Sequence, residues 1–200
     1  MIKPKTLSLR PGCTAESSVD SVNWPESFPV KPSVEVFVSY DAEALTVRFE
    51  VVETDVKAVY SNDLDPVWQD SCVEFFVLCA DGKHYCNFEL NCIGALLASR
   101  RLSRDDYAYF TPDELARVER KTSLPSRKAV LVEGESRWSA SMRIPFDLLG
   151  FDSVPESLAV NFYKCGDCTD HPHYLSWSPI TTPAPDFHRP EFFGRLNFMK

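Results

Sequence analysis

The stretch Ser71–Cys92, SCVEFFVLCADGKHYCNFELNC, decides the fold. Two apolar-rich runs flank Asp81-Gly82-Lys83, and Asp-Gly between alternating runs is a strong signal for a β-hairpin turn. Both runs repeat with the period of a strand. In the second, Cys86, Phe88, Leu90 and Cys92 share one face, and Tyr85, Asn87, Glu89 and Asn91 share the other. In the first, Val73, Phe75, Val77 and Cys79 share a face, and Cys72, Glu74, Phe76 and Leu78 its opposite.

The same alternation continues outward. VEVFVSY sets Val34, Val36, Val38 and Tyr40 on one face, and LTVRFEV does the same with Leu45, Val47, Phe49 and Val51. The DAEA link between them, Asp41–Ala44, has hairpin length. RWSASMRIPF opposes Trp138, Ala140, Met142 and Ile144 to Arg137, Ser139, Ser141 and Arg143, a strand with one buried face and one wet face. LAVNFYKC and FFGRLNF read as further strands, and PFDLLG as a single turn. Only TPDELARVERK reads as a helix, with Thr111 as N-cap, Pro112 at the first helical position and Glu114 three residues after the cap. About nine or ten short strands with one short helix predict an all-β fold, a β-sandwich of jelly-roll or immunoglobulin-like type. The links are too short for crossovers, so the ladder is expected to be antiparallel. No composition break divides the chain, and residues 1–200 read as a single domain.

Composition narrows the partners. With 15 prolines against 7 glycines, the chain suits strands joined by stiff, turn-rich loops. The net charge of −8 repels phosphate backbones, and the densest basic group, Arg100, Arg101 and Arg104, runs straight into Asp105 and Asp106. Nucleic acid is not an expected partner. Nor is a membrane, since no apolar run approaches the ~20 residues needed to span one. Residues 1–12 lack the apolar middle of a secretory signal. The chain therefore reads as cytoplasmic as it stands, and as extracellular or periplasmic if a leader has been trimmed. Seven cysteines leave at least one thiol unpaired; Cys72, Cys79, Cys86 and Cys92, inside strand-like runs, read as reduced core residues.

Trp68 stands in a proline-bearing polar loop just before the first of these runs. If the chain is extended from 68 to 74, Trp68, Asp70, Cys72 and Glu74 point the same way. An indole covers the C–H face of a sugar ring, and carboxylates accept hydrogen bonds from its hydroxyls. Alternatively, Trp68 caps the end of the sandwich and Glu74 is a solvated strand residue. Trp177 lies between Ser176 and Ser178, ahead of a proline-rich loop, and shares a face with Leu175 and His173. Two tryptophans so placed are expected to form the walls of one slot. Other chemistries fit less well. Cys165, Cys168, His171 and His173 are four candidate zinc ligands, but their spacing is far shorter than a zinc finger's, and the alternative is a polar loop leading to Trp177. Asp70 and Glu74 lie roughly 13 Å apart on an extended strand, beyond the about 5–10 Å of a glycosidase pair. No nucleophile elbow, phosphate loop or His-Glu-x-x-His pattern is present.

VWQDSCVEFFV at 67–77, followed by YLSWSPI at 174–180 and PDFHRPEFFGRLNF at 185–198, resembles carbohydrate-binding module family 9 and its broader relatives. The resemblance runs in order along nearly the whole chain. It implies a β-sandwich that binds a mono- or oligosaccharide without breaking a bond, alongside a glycoside hydrolase as partner. It maps the two tryptophans that sandwich a terminal sugar ring onto Trp68 and Trp177, and the acidic residue of the strand entry onto Glu74. Asn91 and Arg100 are its polar contacts in the less distinctive middle region. Two departures stand out: Cys72 is inserted before Val73-Glu74, and residues 99–127 carry no motif that aligns. Structural calcium occurs in some members. Asp41, Glu43, Asp63, Asp65 and Asp70 offer carboxylates here, but no loop spaces them as a calcium ring. No cofactor is expected and no metal ligand is assigned. The alternatives are a glycoside-active enzyme whose acids lie in the unaligned loops, and a structural or interaction β-sandwich.

Overall fold

In the computed structural model, which describes residues 3–199, the hairpin forms around Asp81-Gly82. Gly82 takes φ of 66°, and Asp81 Oδ1 accepts the backbone N–H groups of Lys83 and His84 at 2.9 Å each. The hairpin strands, β6 (Cys72–Leu78) and β7 (Tyr85–Asn91), sit in a nine-stranded sheet. Its order is β1 (Thr6–Leu9), β14 (Gly194–Phe198), β12 (Ser157–Cys165), β6, β7, β8 (Leu96–Arg101) and β9 (Tyr107–Tyr109). Off this path, β13 (Tyr174–Ser176) pairs with the end of β12, and β3 (Ser21–Val22) pairs with β13. The second sheet has five strands: β10 (Glu119–Thr122), β11 (Val130–Pro145), β5 (Ala44–Ala58), β4 (Ser33–Tyr40) and β2 (Ala15–Ser18). Every pairing is antiparallel except β1 with β14. That parallel pair departs from the expected ladder. Short links forbid parallel neighbours only between consecutive strands, and the whole chain separates these two.

The alternating apolar sets meet between the sheets. Val34, Val36, Val38, Val47, Phe49 and Val51 of the smaller sheet pack with Val73, Phe75, Val77, Phe88 and Phe162 of the larger, and the Phe49 and Phe162 rings meet edge to face at 6.2 Å. Burying each such side chain contributes roughly 1.5–3 kcal/mol. The outer face of the larger sheet is covered too. Cys72, Phe76, Tyr85, Leu97 and Tyr163 form a second cluster there, roofed by Trp24, Val67, Phe187 and Phe193 from loops. Strand β6 is thus apolar in both registers because both its faces are buried. Among the described residues no helix is long and apolar enough to cross a membrane.

Two further expectations change. The helix α1 covers only Pro112–Ala116. Thr111 and Glu114 form the expected capping box, but Glu119–Thr122 pairs with β11 instead of continuing the helix. Five residues recover too little hydrogen bonding to outweigh a strand ladder. Trp177 does not line a slot. Sharing a face with Leu175, it points where Leu175 points, into the core, and is 1% exposed. Its ring meets Phe162 at 5.4 Å, lies over Gly194, and donates Nε1–H to Ser17 Oγ at 2.9 Å.

The core also holds a charge. Lys164 on β12 is fully buried, and its Nζ lies 2.8 Å from Glu53 Oε2 on β5. It also donates to His173 Nε2 at 2.7 Å and to the Cys165 carbonyl at 2.8 Å. The other Glu53 oxygen accepts from Trp138 Nε1 at 2.7 Å. Burial first, and then Lys164, push the His173 pKa down to about 3, so the imidazole is neutral. It therefore accepts from Lys164 through Nε2 and donates from Nδ1 to the His171 carbonyl at 2.7 Å.

A side chain at position 194 would collide with the Trp177 ring and sit 2.6 Å from the Lys5 carbonyl. Gly194→Ala is expected to lower the unfolding free energy by about 1–3 kcal/mol, read by urea denaturation. Lys164→Met strands Glu53 without its cation and should cost about 3–5 kcal/mol. Replacing both as Lys164→Met with Glu53→Leu should recover most of that loss; a double variant no more stable than the single one would contradict the pairing.

Candidate functional site

On the outer face of the larger sheet, beside the second cluster, the strands and loops enclose a cleft of about 310 Å³. Its floor is built from neighbouring strands: Glu74 on β6, Glu89 on β7, Leu97 and Arg101 on β8, and Cys165 on β12. Trp68, Tyr107, Tyr109, Tyr174 and Phe187 supply aromatic walls, and Arg104, Asp105, Asp167, Pro185, Asp186 and His188 complete the lining.

The floor's electrostatics follow from register. Glu74 stands directly opposite Glu89 on one side and Tyr163 on the other. Like charges so placed repel, and both carboxyls are almost wholly buried. Burial first, then the Glu89 charge, hold the Glu74 carboxyl well above the usual range. Burial also raises Glu89 to about 7 and Asp167 to about 6. Glu74 Oε1 accepts from the Cys165 thiol at 3.1 Å. Glu89 Oε1 accepts from Asn87 Nδ2 at 2.8 Å, whereas Glu89 Oε2 has no hydrogen-bond partner. A buried carboxylate oxygen left unpaired is costly, and this one belongs to a residue that lines the cleft.

Arg101 is the fixed cation of the floor. Its Nε donates to Asn87 Oδ1 at 3.0 Å and Ser99 Oγ at 2.8 Å, and its Nη1 to the Arg104 carbonyl at 2.6 Å. Its guanidinium lies 4.1 Å from the Tyr107 ring centre, and Tyr107 and Tyr109 are both 44% exposed.

Trp68 is held by a single turn, Val67–Gln69, whose Val67 is buried in the second cluster. The Trp68 carbonyl accepts the Asp167 N–H at 3.3 Å, and its half-buried ring borders the cleft. The proline-rich loop is tied down opposite the sheet. The Phe187 ring stacks on Tyr163 at 4.2 Å, the Tyr163 hydroxyl donates to the Phe187 carbonyl, and Trp24 Nε1 donates to the Thr182 carbonyl at 2.7 Å.

Of the residues expected at a site, the structure brings Trp68 and Glu74 together in this cleft and places the other three elsewhere. Trp177 is in the core. Asn91 is a clasp: its Nδ2 donates to the Tyr60 carbonyl and Asp70 Oδ2, and its Oδ1 accepts the Ala95 N–H. Asp70 is spent in the same way on the Val59 and Tyr60 N–H groups. Arg100 lies on the opposite face of β8, bound to Glu114 and the Leu148 carbonyl. One step along a strand reverses the face, so Arg101, and not Arg100, lines the cleft. Glu89 shares a face with Asn91 in the alternation, and that face was the available signal for it. Tyr107 and Tyr109 fall in the segment with no alignable motif.

The four candidate zinc ligands diverge. Cys165 turns to Glu74, Cys168 is exposed, His171 approaches Asp55 at 3.0 Å and His173 faces Lys164. The carboxylates considered for calcium do not fit that ion either. Asp41 and Glu43 bind Arg143, Asp63 binds Arg120 and Arg127, and Asp65 accepts from Asn62. Among the described residues, no three of them converge.

The sequence pattern of carbohydrate-binding family 9 matches residues 8–198. The chain is similar to a candidate carbohydrate-binding protein from Bacteroides uniformis ATCC 8492, whose crystal structure superposes with a TM-score of 0.91 at 35% identity, covering 98% of this chain and 100% of that one. It is also similar in fold to a family 9 carbohydrate-binding module from Caldicellulosiruptor kristjanssonii. The glucose complex gives a TM-score of 0.54 at 15% identity over 98% and 96% of the two chains, and the cellotriose complex 0.52 at 14% over 97% and 93%. Among curated proteins, none matches. With a pattern match across nearly its whole length and a β-sandwich to go with it, the chain belongs to carbohydrate-binding family 9, whose members are non-catalytic binding modules.

Proposed function

We propose that the cleft floored by Glu74 and Glu89 holds a neutral sugar ring of a mono- or oligosaccharide, with Trp68 as its main stacking surface. The unpartnered Glu89 Oε2 carries this reading. It is a buried polar atom on the cleft floor with no partner in the protein, and a sugar hydroxyl, both donor and acceptor, can pair with it whether the carboxyl is ionised or protonated. The exposed Tyr107 and Tyr109 rings extend the apolar surface toward the rim, where a second sugar unit would lie. Arg101 and Arg104 add donors to a lining otherwise rich in acceptors. The relatives bound to glucose and to cellotriose make β-linked glucose the first ligand class to test. Nothing is cleaved in this scheme; the bound chain would be presented to a separate enzyme, for which we propose a glycoside hydrolase.

Titration calorimetry against glucose, cellobiose and cellotriose tests the assignment. Trp68→Ala should weaken binding at least about tenfold, equivalent to ~1.4 kcal/mol. Trp177→Phe, a change inside the core, should leave affinity within about twofold of the parent. Loss of binding in both variants would restore the slot between two tryptophans, and unchanged affinity in Trp68→Ala would refute this cleft.

The raised Glu89 pKa also has a stability signature. The folded protein binds this proton more tightly than the unfolded chain. The stabilisation is therefore complete below the ordinary value of 4.5 and is lost as pH rises through about 7. Glu89→Gln keeps the acceptor for Asn87 and cannot ionise. It should match the parent at pH 4 and exceed it at pH 8 by on the order of 3 kcal/mol, measured by urea denaturation. An equal difference at both pH values would show that Glu89 does not titrate in this range.

A further inference from the structure

Away from the cleft, at the far end of the same hairpin, Cys79 and Cys86 bring their sulfurs to 3.2 Å. Cys86 pairs with Val77 across the ladder, and Cys79 lies two residues beyond, with its N–H donating to the His84 carbonyl at 2.8 Å. The two thiols therefore meet on a diagonal beside the turn. Cys86 is fully buried, whereas Cys79 borders a groove of about 520 Å³ lined also by His84, Arg100, Leu149 and Gly150.

We propose that Cys79 and Cys86 are a dithiol that exchanges with external disulfides and closes into a disulfide across the β6–β7 hairpin. The sulfurs must approach from 3.2 Å to about 2.05 Å, at the turn end of the hairpin. Cys79 attacks first. It alone of the pair reaches the groove, and the hydrogen bond from the Cys86 thiol pulls its pKa down. A thiolate is the attacking species in such exchange. The Cys79 thiolate displaces one thiolate from a small-molecule disulfide such as glutathione disulfide, leaving a mixed disulfide in the groove. Cys86, its proton released to solvent, then attacks the Cys79 sulfur and expels the second thiolate. Two protein thiols are oxidised and one external disulfide is reduced to two thiols. Closure would tie the hairpin that carries Glu74 and Glu89 without touching the cleft.

The test uses the full chain with its exposed thiols removed as Cys13→Ser and Cys168→Ser, which leaves five cysteines. The protein is equilibrated with glutathione and glutathione disulfide, quenched with acid, alkylated in denaturant and mapped by mass spectrometry with peptide fragmentation. The expected result is alkylation of Cys72, Cys92 and Cys165, and a Cys79–Cys86 cross-link that lacks two hydrogens and disappears on reduction. Five alkylated thiols, a glutathione adduct that stays on Cys79, or a cross-link joining any other pair overturns the proposal. Circular dichroism of the oxidised sample establishes that the cross-link forms in the folded protein; a cross-link accompanied by loss of the β-sheet signal also overturns it.

Discussion

Strand β6 lies inside its sheet with both faces covered, and the rest of the architecture answers to that constraint. Its backbone is paired on both sides, to β12 and β7. One set of side chains closes the core between the sheets, while the other must find cover on the outer face. Loops carrying Trp24, Val67, Phe187 and Phe193 provide that cover over Phe76 and its neighbours. They stop short at Glu74, and the gap they leave is the cleft. Site and second core are therefore one construction, and a substitution that loosens the loops would be felt in both.

The molecule handles buried charge in two ways. Between the sheets, Lys164 and Glu53 neutralise each other, and Trp138 and neutral His173 take up further hydrogen-bonding capacity. On the cleft floor, Glu74 and Glu89 face each other with no cation between them in the ladder, and protonation relieves the repulsion. The first arrangement is complete within the protein. The second is left open on one oxygen, Glu89 Oε2.

Much of this was legible in the alternation. The hairpin at Asp81-Gly82 and the inward sets of β4, β5, β6 and β11 follow from a period of two and a turn signal. Trp68 borders the cleft with Glu74 by another route, because the extended run expected over 68–74 is broken by the turn Val67–Gln69 and Asp70 of the same set binds the Val59 and Tyr60 N–H groups. Parity alone does not say which face is the core when both are apolar. That is why Trp177, correctly grouped with Leu175, was assigned to a slot when its group faces inward. Arg100 and Arg101 differ by one step, and only register against Cys86 and Tyr85 tells them apart. The short helix was overwritten by pairing with β11, a partner distant in sequence that local propensity cannot see. Lys164 gave no local sign of being buried, because its partner Glu53 lies on the other sheet.

The one parallel pairing, β1 with β14, joins the two ends of the described chain at a sheet edge, with Thr6 beside Arg195 and Leu9 beside Phe198. Tension applied at the termini pulls β1 backward from Thr6 and β14 forward from Phe198, along the strand axis. The bridging hydrogen bonds are then loaded together in shear and cannot be peeled open one at a time. A module tethered at one end to a moving body and at the other to an anchored one would resist being unravelled by drag, with that edge acting as its mechanical clamp.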